Sequence, residues 1–330
     1  MPLSRVLQVR SRVPSRTRIR IFNHAFTMKQ ILAVVALLLV AGCSKMDDTQ
    51  PSTSETATFR GVIAEEESRT YLDENIRLRW TAGDLITLFE GITRNKKYMF
   101  MGETGDNAGD FEYVSQGFGT GNEVDRYYAI YPYASTNKLH EDGYLTYTFP
   151  TTQHYAEGSV GLGANPMVAI TADLDDFDLI FRNVAAFLRV CLYGTDQTVG
   201  SITLTTNSGE AIAGKSTITP TYGGNPTCAM TETTASVTLD CGDGGIALGA
   251  TQEEATVFWI VVPPVTMATG FTVTVNGYYG GSQSFAVNSA LTFSRNKYKS
   301  MTREVTLTSS STNMGVDGWG EGTENEGTAE

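Results

Sequence analysis

Apolar and polar residues alternate with a period of two along most of the chain. Ile76, Leu78 and Trp80 alternate with Arg77 and Arg79, and Leu145, Tyr147 and Phe149 with Thr146 and Thr148. Further on, Ile202 and Leu204 interleave with Thr203 and Thr205, and Phe271, Val273 and Val275 with Thr272 and Thr274. Successive side chains of a strand point to opposite faces, so each pattern predicts a strand with one apolar and one polar face. The unbroken apolar run 257–262 predicts a strand buried on both faces. Turn-forming residues separate these runs at 105–109, 117–122, 223–226, 243–245 and 280–281. Segment 183–190 is ambiguous: its residues fit a short helix, but it reads better as a continuation of the strand at 179–181. Beyond residue 43 no amphipathic stretch reaches helical length, so the chain is predicted to be all-β and built of β-sandwiches.

One apolar run has a different character. Lys29 precedes uninterrupted apolar residues 31–40, and Val40, Ala41 and Gly42 then lead into Cys43. The run falls short of the ~20 residues a membrane-spanning helix needs. Its layout is that of a secretory signal, with a basic start, an apolar middle and a small-residue cleavage site. A cysteine directly after that site is what bacterial lipoprotein processing requires, which predicts lipidation of Cys43 and an outer-membrane, cell-surface location. Residues 1–27 hold six arginines and no acidic residue. They read as an over-extended start, with translation expected to begin at Met28.

Removal of residues 1–42 changes the charge. Of 24 basic residues, seven precede Cys43, leaving 17 against 36 acidic groups and a formal charge of −19. Such a surface repels nucleic acid, which is excluded as a partner. Residues 43–56 are polar and aperiodic, as expected of a flexible tether. Asp47 and Asp48 within it read either as a solvated linker or as an acidic export signal of surface lipoproteins. A break is expected at the acidic stretch 172–176, dividing an N-terminal sandwich (57–172) from a C-terminal one (173–308). The tail 309–330 is polar and glycine-rich.

Candidate chemistry is thin. Residues 209–216, GEAIAGKS, match the phosphate-binding loop letter for letter. That loop must open a helix, whereas here β-branched residues and Pro220 follow, predicting a glycine-turned hairpin. Asp173, Asp175, Asp176 and Asp178 lack the spacing of a calcium loop, since Phe177 stands where an oxygen ligand is needed. Serines three before lysines (Ser135 and Lys138, Ser294 and Lys297) lack the partner motifs of serine acyl-enzymes. His140 and His154 lie in turn-like surroundings. No set of nucleophile, base and orienting group can be assembled, so no enzyme, metal or cofactor is expected. Cys191 reads as a small buried apolar residue; Cys228 and Cys241 flank one strand-and-turn unit, and spacing does not decide whether they pair.

With these residues in place, the chain over about 43–320 resembles the fimbrillin-like lipoproteins, subunits and accessory proteins of type V pili in Gram-negative anaerobes. The resemblance rests on the lipoprotein signal, Ser68-Arg69-Thr70, the run from Trp80 to Ile86, Tyr128 to Pro132, and Asn165 to Ala169. Leu179 to Asn183, Leu188 to Val190, Pro263-Pro264 and Gly318-Trp319 complete it. It implies two tandem transthyretin-like β-sandwiches. It also implies that an arginine-specific protease cuts beyond the first strand, here at Arg69, with Arg60 second. The vacated groove would accept a strand from another pilus subunit. The tail is too polar to fill such a groove, which points to a tip, anchor or accessory protein with a surface ligand rather than the shaft subunit. The competing expectation is a surface glycan-binding lipoprotein, with Tyr127, Tyr128, Tyr131 and Tyr133, or Tyr278 and Tyr279, as its aromatic platform.

Overall fold

The computed structural model describes residues 57–64, 71–72, 78–92, 95–117, 122–232, 234–307, 312–313 and 327–328. Cys43, the tether and Arg69 lie outside them. Among the described residues the fold is all-β, with a single 3-10 turn at Gln252–Glu254.

The first strands are β1 (Phe59–Ile63), β2 (Leu85–Phe89), β3 (Asn95–Phe100), β4 (Ala108–Gln116) and β5 (Tyr128–Tyr131). Next come β6 (Leu145–Phe149), β7 (Met167–Ile170) and β8 (Asp178–Asn183). All of these except β6 close into a seven-stranded barrel in the order β1-β8-β7-β5-β2-β3-β4, in which only the β1–β8 pair is parallel. The sequence pattern predicts half-buried strands but not closure. Here β1 bonds to β8 on one side and β4 on the other, so this sheet has no free edge.

Eight longer strands follow the barrel: β9 (Ala186–Tyr193), β10 (Thr198–Thr206), β11 (Gly214–Thr221), β12 (Gly224–Met230), β13 (Ser236–Asp240), β14 (Thr256–Val262), β15 (Phe271–Gly277) and β16 (Ser282–Val287). A ninth strand of this part is β17 (Lys297–Glu304). Sheet β13-β10-β15-β16 faces sheet β14-β9-β17 across a core of Leu188, Val190, Ile202, Leu204, Val273 and Ile260. The run at 257–262 is buried on both faces, as its lack of alternation predicts. Phe258, Ile260 and Val262 enter this core, while Trp259 and Val261 enter a second one. That second core lies against β6 and β11, which pair with each other, so a strand that precedes β8 and one that follows it share one sheet.

Two expectations change. Segment 183–190 is not a continuation of one strand: β8 ends at Asn183 and β9 begins at Ala186 in a different sheet. The Asn183 side chain makes the bend, its Nδ2 donating to the Ala185 carbonyl at 3.1 Å and its Oδ1 accepting from the Ala185 amide at 3.3 Å. The acidic stretch at 172–176 lies inside the barrel, because β8 follows it and pairs with β1 and β7. Its carboxylates cap backbone: Asp173 accepts from the Asp175 amide, and Asp176 from those of Ala172 and Asp178.

Candidate functional site

Strand β1 is five residues long and sends Phe59, Gly61 and Ile63 inward and Arg60 outward. Its backbone is held on both sides. The Arg60 amide donates to the Phe177 carbonyl at 3.0 Å, Ile63 to Asn107 at 2.9 Å, and Ala64 to Phe181 at 3.1 Å. The slot it occupies has three stations. Phe59 is fully buried and meets Tyr98 and Tyr127 edge-on at 5.4 and 4.8 Å, with Phe177 tilted at 5.5 Å. Burying such a ring contributes about 1.5–3 kcal/mol.

At the middle station, Gly61 lies opposite Gly109 of β4. A Cβ on Gly61 would stand 2.3 Å from Cε2 of Phe111, and one on Gly109 would stand 2.6 Å from Cε2 of Phe100. The two rings therefore lie flat over backbone that only glycine leaves bare. The third station holds Ile63, 1 % exposed. Behind the strand, Trp80 is ringed by Phe100, Phe111, Tyr131 and Phe181 at 5.1–5.7 Å. Burial, and after it the nearby Glu90 carboxylate, pushes the Tyr98 phenol well above its ordinary value, and it donates to Glu90 Oε1 at 3.3 Å. The slot is thus apolar along its length.

Arg60 lies within this ladder, next in register to Asp178 and Asp110, and its peptide is paired. Other sequence candidates are dispersed. Lys215 and Ser216 belong to β11 rather than to a helix. Lys215 Nζ bonds Glu232 at 2.7 Å and Ser216 Oγ donates to the Tyr147 carbonyl. His140 stacks on Tyr144, and His154 is exposed beside Asp240. All three described cysteines are free thiols, so Cys228 and Cys241 are not bridged. Among the described residues no group of three or more His, Cys, Asp or Glu is set to hold a metal ion.

The tyrosine platforms fare unequally. Tyr131 is buried, Tyr127 and Tyr128 pack half-buried against the cores, with Tyr127 on Phe59, and half-buried Tyr133 lies under the Lys97 ammonium rather than in an open platform. Tyr278 and Tyr279 are exposed, crossing edge-to-face at a hairpin tip. Two features escape sequence reasoning. Phe177 closes the slot although it sits in an acidic turn. Gln153, 108 residues from Val261, uses its side-chain amide to bond both backbone groups of that residue at 2.7 and 2.9 Å.

No family model matches the chain, and no curated protein matches it. Solved structures do. A "putative cell adhesion protein" from Bacteroides ovatus is 14% identical, with 75% of this chain and 91% of that one covered and a TM-score of 0.43. A second, from Bacteroides uniformis, is 16% identical over 77% and 93%, also at 0.43. The tip fimbrial protein Mfa3 from Porphyromonas gingivalis is 9% identical over 74% and 92%, at 0.31. The structural neighbours are thus described as cell adhesion and fimbrial proteins.

Proposed function

We propose that the chain is a surface-anchored subunit or accessory protein of a type V pilus, tethered to the outer membrane by lipid on Cys43. In this reading the barrel and the sandwich correspond to two tandem transthyretin-like domains. The carrying observation is the first strand. It is short, bonded on both sides, and keyed into the barrel at alternate positions by Phe59, Gly61 and Ile63. Loss of that strand would open the edges of β8 and β4 together with a ring-lined groove. An incoming strand of the same pattern would recover the main-chain hydrogen bonds and fill the same stations. The residue that permits this is Arg69, beyond the strand, rather than Arg60, whose peptide is protected by the ladder. The polar tail beyond residue 308 supplies no matching donor, so the protein acts at a tip, an anchor or as an accessory.

Limited digestion with an arginine-specific protease, read by intact mass, tests this. The expected result is a cut after Arg69 and none after Arg60 in folded protein, followed by no growth of long polymers under electron microscopy. An uncut segment 57–75 removes the strand-exchange reading. Spontaneous long polymers of the cut protein remove the tip or accessory role.

A further inference from the structure

The three stations of the β1 slot restrict what can replace that strand. We infer that the incoming strand comes from a different protein and carries an aromatic residue, a glycine two residues on, and an aliphatic residue two further. The inference rests on the strand-exchange reading above and adds to it the identity of the partner.

The middle station discriminates most. A Cβ at residue 61 stands 2.3 and 2.8 Å from Cε2 and Cδ2 of Phe111. A ring at the end of a free side chain would swing aside. Phe111 is fully buried, however, and wedged among Trp80, Phe100 and Phe181 at centroid distances of 5.1, 5.3 and 6.1 Å. A residue larger than glycine therefore overpacks the barrel core. The outer stations demand the opposite. The first is walled by the rings of Tyr98, Tyr127 and Phe177, and the third buries Ile63 in the same core. Arg60 and Val62, between the stations, face outward and tolerate variety. Main-chain pairing with Asp178–Phe181 on one side and Ala108–Phe111 on the other fixes the register.

This chain holds the spacing once, at Phe59, Gly61 and Ile63. Five other glycines follow an aromatic residue by two, but Thr93, Thr104, Pro226, Ser282 or Gln283 stands at the third position. In reverse order the spacing recurs at Val275, Gly277 and Tyr279, where Val275 lies within β15, a strand paired on both sides. In the tail, Trp319 has Asp317 and Glu321 two residues to either side. A second copy could offer only its own β1, which already fills its own slot. The donor is therefore another protein.

Strand complementation tests this on the full chain, with a site-specific protease sequence set between Ala64 and Tyr71 so that the cut does not depend on Arg69. The cut protein is unfolded in urea and refolded with excess synthetic peptide, and native mass spectrometry reads which strand it holds. Peptide 57–64 is expected to replace the resident strand in proportion to its excess. Its Gly61→Ala form should be taken up about tenfold less and its Phe59→Ala form about a hundredfold less. Phe111→Leu protein should accept the Gly61→Ala peptide again. The proposal is overturned if the Gly61→Ala peptide competes equally, or if a peptide of residues 309–330 competes as well as 57–64. Should the cut chain not refold, Gly61→Ala in the uncut chain decides. Its urea midpoint must fall in the parent and not in the Phe111→Leu background, and an unchanged midpoint overturns the proposal. Adding peptide 57–64 to folded cut protein without urea separates the two readings. No uptake removes strand exchange, and the foreign donor with it, although the preference measured on refolding stands. Uptake regardless of residue 61 keeps strand exchange and removes the preference.

Discussion

The barrel and the sandwich fill their interiors differently. Among the described residues, seven of the fifteen buried side chains in the barrel core are aromatic: Phe59, Trp80, Tyr98, Phe100, Phe111, Tyr131 and Phe181. In the sandwich core only four of twenty-three are, and branched aliphatics dominate. Rings need flat clearance, and the barrel supplies it with glycines facing each other across β1 and β4. Aliphatic chains interdigitate between pleats and need none. A core of a few large rings meeting at one strand presents well-defined stations for whatever strand lies there, whereas an aliphatic core distributes its packing over many small contacts. The edges differ as well. The barrel seals its own by closing, while the sandwich borrows groups from elsewhere in the chain.

The largest test of this contrast is at Trp80, fully buried among four rings. Trp80→Ala is expected to cost about 3–5 kcal/mol by chemical denaturation, against about 0.5–1.5 kcal/mol for Ile202→Val in the sandwich. Native-state hydrogen exchange would locate the loss. Protection should fall in the barrel and persist in β10 and β15. An equal fall in both would mean that the sheet shared by β6 and β11 makes the molecule one cooperative unit.

A smaller effect isolates the slot. Gly61→Ala places a methyl group 2.3 Å from the Phe111 ring and is expected to cost about 1–3 kcal/mol by overpacking. In a Phe111→Leu background the penalty should largely vanish, a coupling that a double-mutant cycle on thermal or urea unfolding measures directly. Additive costs would show that the ring does not define the station, and the barrel would then differ from the sandwich in composition alone.

What was legible in the sequence follows the same division. Alternation at 271–275 and its absence at 257–262 gave strand faces correctly, because those signals are local. Barrel closure was not legible, since it depends on Arg60 pairing with Asp178 across more than a hundred intervening residues. The acidic turn at 173–176 looked like a boundary because charge and turn residues are common to linkers and to tight connections within a sheet. The packing role of Phe177 is hidden for the same reason, although it contacts Phe59. Of the candidate site, the position of Arg60 on the first strand could be read, but the aromatic stations beneath that strand could not.

The last test concerns the borrowed edge. Among the described residues strand β14 has a neighbouring strand, β9, on one side and none on the other. Gln153 covers that other side at Val261, its Nε2 donating to the carbonyl at 2.7 Å and its Oε1 accepting from the amide at 2.9 Å. The carboxamide thus stands in for one residue of a neighbouring strand, while its own backbone, at Thr152–His154, pairs with β13 of the facing sheet. Gln153→Ala leaves two groups unpaired at a site 3 % exposed, an expected cost of about 1–3 kcal/mol once water reaches part of the edge. It should also bare a hydrogen-bonding edge beside Trp259, raising self-association in sedimentation velocity experiments. Gln153→Glu separates the two consequences. A carboxylate still accepts from the Val261 amide but cannot, when ionised, donate to its carbonyl, so stability should fall while charge keeps the edge monomeric. If both variants remain monomeric and as stable as the parent, the sandwich edge is sealed by other means, and the contrast with the self-closing barrel fails at this point.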